Sequence, residues 1–569
     1  MRKLPNGISN YEQIVRENRV YVDKTMYIEK LENLADNTIM FLRPRKFGKT
    51  LFTSTLECYY DKNKIDKFEE LFGKTYIGKN PTENKNRYCI LRFNFSGINT
   101  NTVDGAMQGF KNSTIESIKI FVSRYEIDFY INEEQEAEEI LNSLYTAFYI
   151  QKPNEKIYVI IDEYDHFANE LLGFRTNEFK NLVSKNGKIR KWYEILKKGT
   201  ESVVDRIFIT GVAPVTLDST TSGFNIANDT TKNIEFNDML GFCGNDVKYI
   251  MTELEITEEK QEELLPIIKE NYDGYIFSDE IENEKLNEYK LYNSNMTLYY
   301  LNEYCRLKEN PKKLVDTNII SDYTKIEAFM NLCQSMNKIE LLEKIVAEDP
   351  IESELTEKFN AEISFGEKEL VSLLFYLGYL TIVKKGFSKC SFKIPNDVIR
   401  RIYSEYFLHY ISKKANIVTD TIDTEKICEE ILIHGKIDKA MEVLGTFLKN
   451  LSNRDYQRFD EKYIKVIFYS ICRMLGAVYV KSELEVGGEY ADILLVPREK
   501  MQERYGILLE FKYIKQEDYD KNQEILKQKQ QEAKDQIERY RQAEEIKMIP
   551  KLKCYTVVVI KDKIETEEI

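Results

Sequence analysis

The sequence predicts a mixed α/β chain organised in three stretches, 1–240, 241–450 and 451–569. Three observations predict it. In the first stretch, short apolar runs alternate with helix-length segments, the texture of βαβ units around a mostly parallel sheet. In the second, Leu, Ile, Phe and Tyr recur three and four residues apart, the period of helices. In the third, strand-like runs return, arranged around one long polar helix. No Pro/Gly/Ser-rich linker and no repeat of fixed period separates the stretches.

Composition narrows the class. The 569 residues can hold three or four domains at roughly 150 residues each. With 43% hydrophobic and 31% charged residues, 11 Pro and 24 Gly, the chain is neither disordered nor fibrous. Asp and Glu outnumber Lys and Arg 95 to 81, so no global basic field attracts nucleic acid, and any such contact must come from a local patch. Nine Cys without one C-x-x-C pair read as reduced thiols. Three dispersed His (His166, His409 and His434) argue against zinc or an imidazole cluster. The start, Met1 to Gly7, lacks a signal peptide's apolar core, and there is no run of ~18 apolar residues. The expectation is a soluble, cytoplasmic protein with no membrane partner.

In the first stretch the predicted strands are Thr38–Leu42, Cys89–Phe95, Ile157–Ile161 and Arg206–Thr210. The first runs into Arg43-Pro-Arg-Lys-Phe-Gly48-Lys49-Thr50-Leu51, close to the phosphate loop G-x-x-x-x-G-K-[ST] but with Arg43 at the first Gly. Gly48 lets the backbone approach phosphate, Lys49 neutralises the β- and γ-phosphates, and Thr50 offers a hydroxyl to Mg²⁺. Arg43 and Leu51, which flank these three, are counted with them as nucleotide-binding positions. Arg45 and Lys46 are basic and close by, and either could simply face solvent.

The third strand ends in Asp162-Glu163-Tyr164-Asp165, a buried strand running into carboxylates. Asp162 is expected to hold Mg²⁺ beside Thr50, and Glu163 to polarise an attacking water. Thr210, at the end of the fourth strand, is placed to sense a γ-phosphate, because ligands sit beyond the carboxyl ends of such strands. Asp165 and His166 fit a supporting or a purely structural role equally well. Together the two motifs predict a P-loop NTPase sheet. The strand Cys89–Phe95 fits the extra strand of the additional-strand ATPases.

In the middle stretch, Lys368–Leu377 reads as a helix, with Tyr379–Val383 and Ser391–Ile394 as two short strands. A helix leading into a hairpin is compatible with a winged helix.

The last stretch orders as helix Asp460–Leu475, strands Val478–Glu485, Ala491–Val496 and Gly506–Phe511, helix Gln523–Glu545, and strand Tyr555–Ile560. Asp492 opens one strand, while Glu510 and Lys512 share a face of the next. Paired as a hairpin, these strands bring Asp492 beside Glu510, and both can bind Mg²⁺, a hard ion that takes carboxylates and water. Lys512 then lies close enough to orient or help deprotonate a water for attack on a phosphodiester. Glu461 on the preceding helix could complete the metal shell, and Gln536 and Tyr540 share a helix face that braces the site. The alternative is that these are ordinary strand-end charges in an acid- and Lys-rich chain.

The quoted motifs carry a family resemblance. Tyr21-Val-Asp-Lys-Thr25, the Arg43–Thr50 loop, Ile161–Asp165, Thr210-Gly-Val-Ala-Pro-Val-Thr-Leu-Asp218, Tyr272-Asp-Gly-Tyr275 and Leu291-Tyr-Asn293 resemble the AAA-ATPase-like proteins, in which Arg for the first Gly is typical. The last stretch is similar to the PD-(D/E)XK nuclease superfamily, whose fold is the α/β fold of restriction endonucleases. The resemblance implies ATP and Mg²⁺ as cofactors. It implies nucleotide binding by Gly48, Lys49 and Thr50, and Mg²⁺ binding or hydrolysis by Asp162 and Glu163. For the nuclease-like domain it implies metal binding by Glu461, Asp492 and Glu510, with Lys512 as catalytic base partner and nucleic acid, DNA first, as substrate. Glu489 departs from the basic residue often found there in relatives, which bears on DNA contact at that point. A role in mobile elements or defence is suggested by architecture alone. The expected activity is that of an ATP-dependent nuclease; the competing one is an ATP-regulated switch or scaffold whose nuclease fold is inactive. A homo-oligomer is compatible with either.

Overall fold

The computed structural model describes residues 2–99, 102–166, 188–216, 227–311, 314, 326–327, 329–330, 338–347, 349–360, 365–418, 422–451, 460–486, 489–497 and 504–569. Leu217 and Asp218, which end a motif quoted above, lie outside the described residues, as do Gly487 and Gly488 just before Glu489. The chain forms two compact units, Met1–Met336 with Pro350–Ile399, and Asn337–Asp349 with Arg400–Ile569. The stretch 241–450 is therefore shared between them.

The first unit is built on a five-stranded parallel sheet. Its strands are β1 (Thr38–Leu42), β2 (Tyr88–Asn94), β3 (Lys156–Asp162), β4 (Val204–Gly211) and β5 (Asn228–Asp229), in the order β2-β3-β4-β1-β5. Helices cover such a sheet on both faces, so its central strands read as unbroken apolar runs. Residues Thr38–Leu42 are accordingly all buried. β4 pairs with β1 through Leu42↔Gly211 and with β3 through Ile161↔Ile209. In space, then, β4 separates the loop strand from the strand of Asp162. The strand at 88–94, which lies between the two motifs in sequence, is at the sheet edge.

Among the described helices around the sheet are α1 (Lys49–Tyr60), α2 (Val103–Tyr125), α3 (Ala137–Gln151) and α4 (Lys188–Gly199). The one Trp of the chain, Trp192 on α4, is fully buried, edge-on to Phe93, Phe95 and Phe110 at centroid distances of 4.9, 5.8 and 5.4 Å. T-shaped packing of this kind adds to the burial energy of the rings.

Helices α5 (Gly244–Glu253), α6 (Glu258–Tyr272) and α7 (Ser294–Leu307) follow. Then α8 (Glu367–Tyr376) leads into an antiparallel hairpin, as anticipated. Strand β6 (Ile351–Ser353) joins that hairpin, giving a three-stranded sheet with β7 (Thr381–Lys385) and β8 (Cys390–Lys393) in the order β6-β8-β7.

The second unit carries α9 (Glu461–Arg473), β9 (Val478–Val486), β10 (Glu489–Pro497), β11 (Gly506–Ile514), α10 (Glu524–Tyr540), β12 (Leu552–Ile560) and β13 (Lys563–Glu568). Their sheet runs β9-β10-β11-β12-β13 and is antiparallel except for the parallel pair β11/β12. A parallel pair needs a long crossover, and α10 lies within it. Although α10 is polar, Ala533, Ile537 and Tyr540 form a buried stripe at spacings of four and three. Ala533 is fully buried, while Ile537 and Tyr540 pack into a core with Ala491, Leu494, Leu508 and Cys554. The edge strand β13 was not expected. Among the described residues no helix is long and apolar enough to cross a membrane.

Candidate functional site

In the first unit β1 delivers the chain into the loop and α1 begins at Lys49. The bend requires left-handed backbone at Lys46 (φ 70°) and Gly48 (φ 98°). A Cβ on Gly48 would meet nothing within 4 Å, so it is the conformation, not space, that calls for glycine. Lys49 is buried, and its Nζ donates to the carbonyls of Arg43 and Pro44 at 2.9 and 3.0 Å. Burial lowers its pKa, while Glu163, Asp165 and Asp162 pull the other way. A cavity of about 430 Å³ opens beside the loop, lined by Gly48, Lys49, Thr50, Leu51 and Glu163, with Tyr21 and Phe242 among its apolar walls.

Arg43, expected among the nucleotide-binding positions, has its side chain in the core. Nη1 donates to Leu42 O and Thr231 O, each at 2.8 Å, and Nη2 to Phe236 O and Asn237 O, each at 3.0 Å. The guanidinium lies between the rings of Phe41 and Phe277, 4.1 and 4.4 Å from their centroids. Arg43 thus anchors the start of the loop to the 231–237 segment. The Thr210 hydroxyl is also committed to structure: it is buried and donates to Phe41 O at 2.8 Å, tying β4 to β1.

Asp162 ends β3 fully buried. Its Oδ2 lies 3.4 Å from both Arg92 Nη2 and Thr53 Oγ1, and its Oδ1 is buried with no hydrogen-bond partner. An orphaned buried carboxylate oxygen is costly unless a cation or donor meets it. That oxygen is a hard donor of the kind Mg²⁺ takes, as is the hydroxyl of Thr50, which lines the cavity. Glu163 has φ 51° and lines the cavity, with its side chain 30% exposed and Oε2 3.6 Å from His166 Nδ1. Asp165 is structural: it accepts the amides of Val212 and Ala213 at 2.9 and 2.7 Å and so shapes the turn after β4. Arg92, which sequence reasoning missed, donates to Glu57 and Thr53 at 3.0 Å each and so fixes the surroundings of Asp162.

In the second unit β10 and β11 pair through Ile493↔Leu509, Leu494↔Leu508 and Leu495↔Ile507. One step further along this register Asp492 lies opposite Glu510. Asp492 Oδ2 accepts the Phe511 amide at 2.7 Å, and Oδ1 accepts Lys465 Nζ at 2.7 Å. Glu510 Oε1 accepts Lys512 Nζ at 2.8 Å, while Oε2 is buried with no hydrogen-bond partner. Glu461 Oε1 lies 3.9 Å from both lysine ammoniums. Burial, then the Asp492 charge, pushes the Glu510 carboxyl up to about 7. Burial opposes the charge on Lys512, but Glu510, Glu461 and Asp492 outweigh it and raise its pKa, so it stays a cation. Glu461 is raised by burial and by Asp492.

The structure thus brings Glu461, Asp492, Glu510 and Lys512 into one cluster, together with Lys465. Among the described residues no three His, Cys, Asp or Glu side chains close up into a metal cage by themselves; the two ammoniums stand between the carboxylates. The orphan Glu510 Oε2 and the all-oxygen donor set fit a hard divalent cation. Gln536 Nε2 is 3.5 Å from Tyr540 Oη, which donates to Tyr490 O at 2.9 Å, so the two α10 side chains do meet. Glu489 is gripped by Arg539 through a fork at 2.9 and 3.0 Å. Lys465 went unread because Glu461-x-x-x-Lys465 looks like an ordinary surface helix pair. The usable signal was its place among Ile464, Val466, Ile467 and Phe468, all of which are buried.

Residues 5–221 match the family model described as predicted AAA-ATPase, and residues 459–568 that of the PD-(D/E)XK nuclease superfamily. The "uncharacterized protein in vnfD 5' region" of Azotobacter chroococcum mcd 1 is 23% identical over 489 residues, covering 84% of this chain and 83% of that one.

Proposed function

We propose, for a chain that joins an AAA-ATPase-like domain to a PD-(D/E)XK nuclease superfamily domain, that the first binds and hydrolyses ATP and the second cleaves nucleic-acid phosphodiesters, DNA before RNA. The observation that carries this reading is common to both sites. A strand carboxylate (Asp162 in one, Glu510 in the other) is buried with one oxygen engaged and the other without a hydrogen-bond partner. In each case a buried lysine stands in the same site, Lys49 or Lys512.

Bound Mg²⁺ would supply neutralisation of phosphate charge at each site. In the first unit Thr50 and Asp162 would hold it, Gly48 would present its amide to phosphate, and the Lys49 ammonium would turn from the loop carbonyls to the β- and γ-phosphates. Glu163, on the cavity wall, would accept a proton from the attacking water. In the second unit Asp492 and Glu510 would hold the ion, with Glu461 at its margin. Lys512 enters as a cation, which suits it to hydrogen-bond a phosphate oxygen or to orient the nucleophile.

The test is ATPase and nuclease assays on wild type, Lys49→Ala and Lys512→Ala across single- and double-stranded DNA and RNA with Mg²⁺ or Mn²⁺. The reading expects cleavage that Lys512→Ala abolishes and ATP turnover that Lys49→Ala abolishes. Wild type that cuts none of these substrates would leave the second reading, an ATP-regulated switch or scaffold with an inactive nuclease fold. That reading is favoured by the pairing of both Asp492 oxygens and by the net charge of −14. We take the cytoplasm as the location, and mobile-element or defence biology as the setting; a homo-oligomer is compatible with both readings.

A further inference from the structure

The carboxylates of the nuclease-like site are not equivalent. Glu510 keeps one buried oxygen without a partner, whereas both oxygens of Asp492 are engaged. The group that engages Oδ1 is Lys465, one helical turn after Glu461 on α9. Its ammonium is 2.7 Å from Asp492 but 3.9 Å from Glu461, so it is held closer to the strand carboxylate than to the one on its own helix. The pair is largely withdrawn from water, with the Lys465 side chain 17% exposed and that of Asp492 6%. A buried carboxylate needs a compensating charge. At Asp492 that charge is the Lys465 ammonium, which occupies the carboxylate oxygen that a metal ion held by Asp492 would need. Lys512 does not duplicate it, since Lys512 is 2.8 Å from Glu510.

We propose that Lys465 is a displaceable counter-ion of the nuclease-like site. Its ammonium neutralises Asp492 when no divalent cation is held, gives way to the cation, and then pairs with a phosphate oxygen of the nucleic-acid backbone. This rests on the reading that Asp492 and Glu510 hold a metal. Two consequences follow from charge alone. Ion and ammonium compete for Asp492, so removing the ammonium strengthens ion binding. Once displaced, a flexible cation one turn from Glu461 is a ready partner for phosphate. A lysine that merely stapled α9 to β10 would predict the opposite sign, because losing the staple would loosen the site and weaken ion binding.

The experiment titrates Mn²⁺ calorimetrically into the full-length chain. It is run in an Asp162→Asn background so that the first unit contributes no second cation site. Lys465→Met and Lys465→Gln should bind Mn²⁺ about tenfold or more tightly than the background protein, and Lys465→Arg within about threefold of it. With Ca²⁺ in place of Mn²⁺, the Met and Gln variants should bind a DNA duplex about fivefold more weakly despite the tighter metal. Mn²⁺ affinity unchanged or reduced in both neutral variants would overturn the proposal, and unchanged duplex affinity would overturn its phosphate half. Asp492→Asn and Glu510→Gln serve as controls. If they bind Mn²⁺ as the background does, the metal-site reading itself fails. If they lose it while Lys465→Met and Lys465→Gln behave like the background, only the role of Lys465 fails. Melting temperatures without metal identify any variant that has not folded, and the remaining Lys465 variants then decide.

Discussion

The Phe511 amide donates to the Asp492 carboxylate at 2.7 Å, two residues beyond the backbone pair Ile493↔Leu509. A rung of the β10/β11 ladder is thus made by a side chain, at the register position opposite Glu510. Asp492→Ala leaves a buried amide without its acceptor and takes the 2.7 Å partner from a largely buried ammonium, and should cost about 3–5 kcal/mol. Asp492→Asn keeps an acceptor for the amide and should cost less. Hydrogen exchange checks the geometry directly: the Phe511 amide should stay protected in Asp492→Asn and lose protection in Asp492→Ala.

Glu510 should make the second unit pH-sensitive without metal. Burial and Asp492 lift its carboxyl from the ordinary 4.5 to about 7. Between those values the folded chain holds a proton that the unfolded chain has released. The stabilising contribution is therefore complete below the unfolded value and is lost as pH rises through about 7. In EDTA, melting temperature should fall across this window. Glu510→Gln should flatten the profile and melt higher than wild type at about pH 8. Added Mn²⁺, which favours the ionised form, should remove the slope in wild type. A wild-type profile without slope between pH 5 and 8, each limit approximate, would show that Glu510 is not held proton-bound.

Arg43 and Lys49 should separate stability from nucleotide binding. Arg43→Ala strands the carbonyls of Leu42, Thr231, Phe236 and Asn237, and should cost about 3–5 kcal/mol. Arg43→Lys should recover little, because a point ammonium cannot reproduce a planar fork held between two rings. For chains that remain folded, ATP affinity should fall less than about tenfold in either variant, against about 100-fold for Lys49→Ala. A fluorescent-nucleotide titration alongside thermal melts reads both quantities.

These sites differ in how far local sequence could reveal them. The strand of Asp162 was legible because burial on both faces leaves an unbroken apolar run ending in acids. The meeting of Asp492 with Glu510 was legible because two neighbouring apolar runs form a hairpin, and strand parity then decides which side chains share a face. Arg43 was not legible: the carbonyls that draw its guanidinium inward lie at 231, 236 and 237, nearly two hundred residues away in sequence. Lys465 hid within a spacing that surface helices use routinely. Strand β13, Lys563-Ile-Glu-Thr-Glu-Glu568, hid for a related reason: as an edge strand paired only with β12, it has little apolar alternation to show.

Two glycines with positive φ should respond very differently to alanine. Gly48 has φ 98° and Gly274 φ 105°, yet a Cβ at Gly48 meets nothing within 4 Å, whereas at Gly274 it would fall 2.1 Å from Pro395 O. The chain at 395 cannot easily retreat, because Asn396 Nδ2 donates to Asp273 O at 3.1 Å and holds the two segments together. This close crossing accounts for the glycine of Tyr272-Asp-Gly-Tyr275. Gly48→Ala should therefore cost only the strain of left-handed backbone, about 1–2 kcal/mol. Gly274→Ala adds a backbone clash and should exceed about 4 kcal/mol or prevent folding. Melting curves of the two variants make the comparison. Equal melting temperatures would mean that the 395–396 segment yields and that the hydrogen bond to Asp273 does not hold it in place.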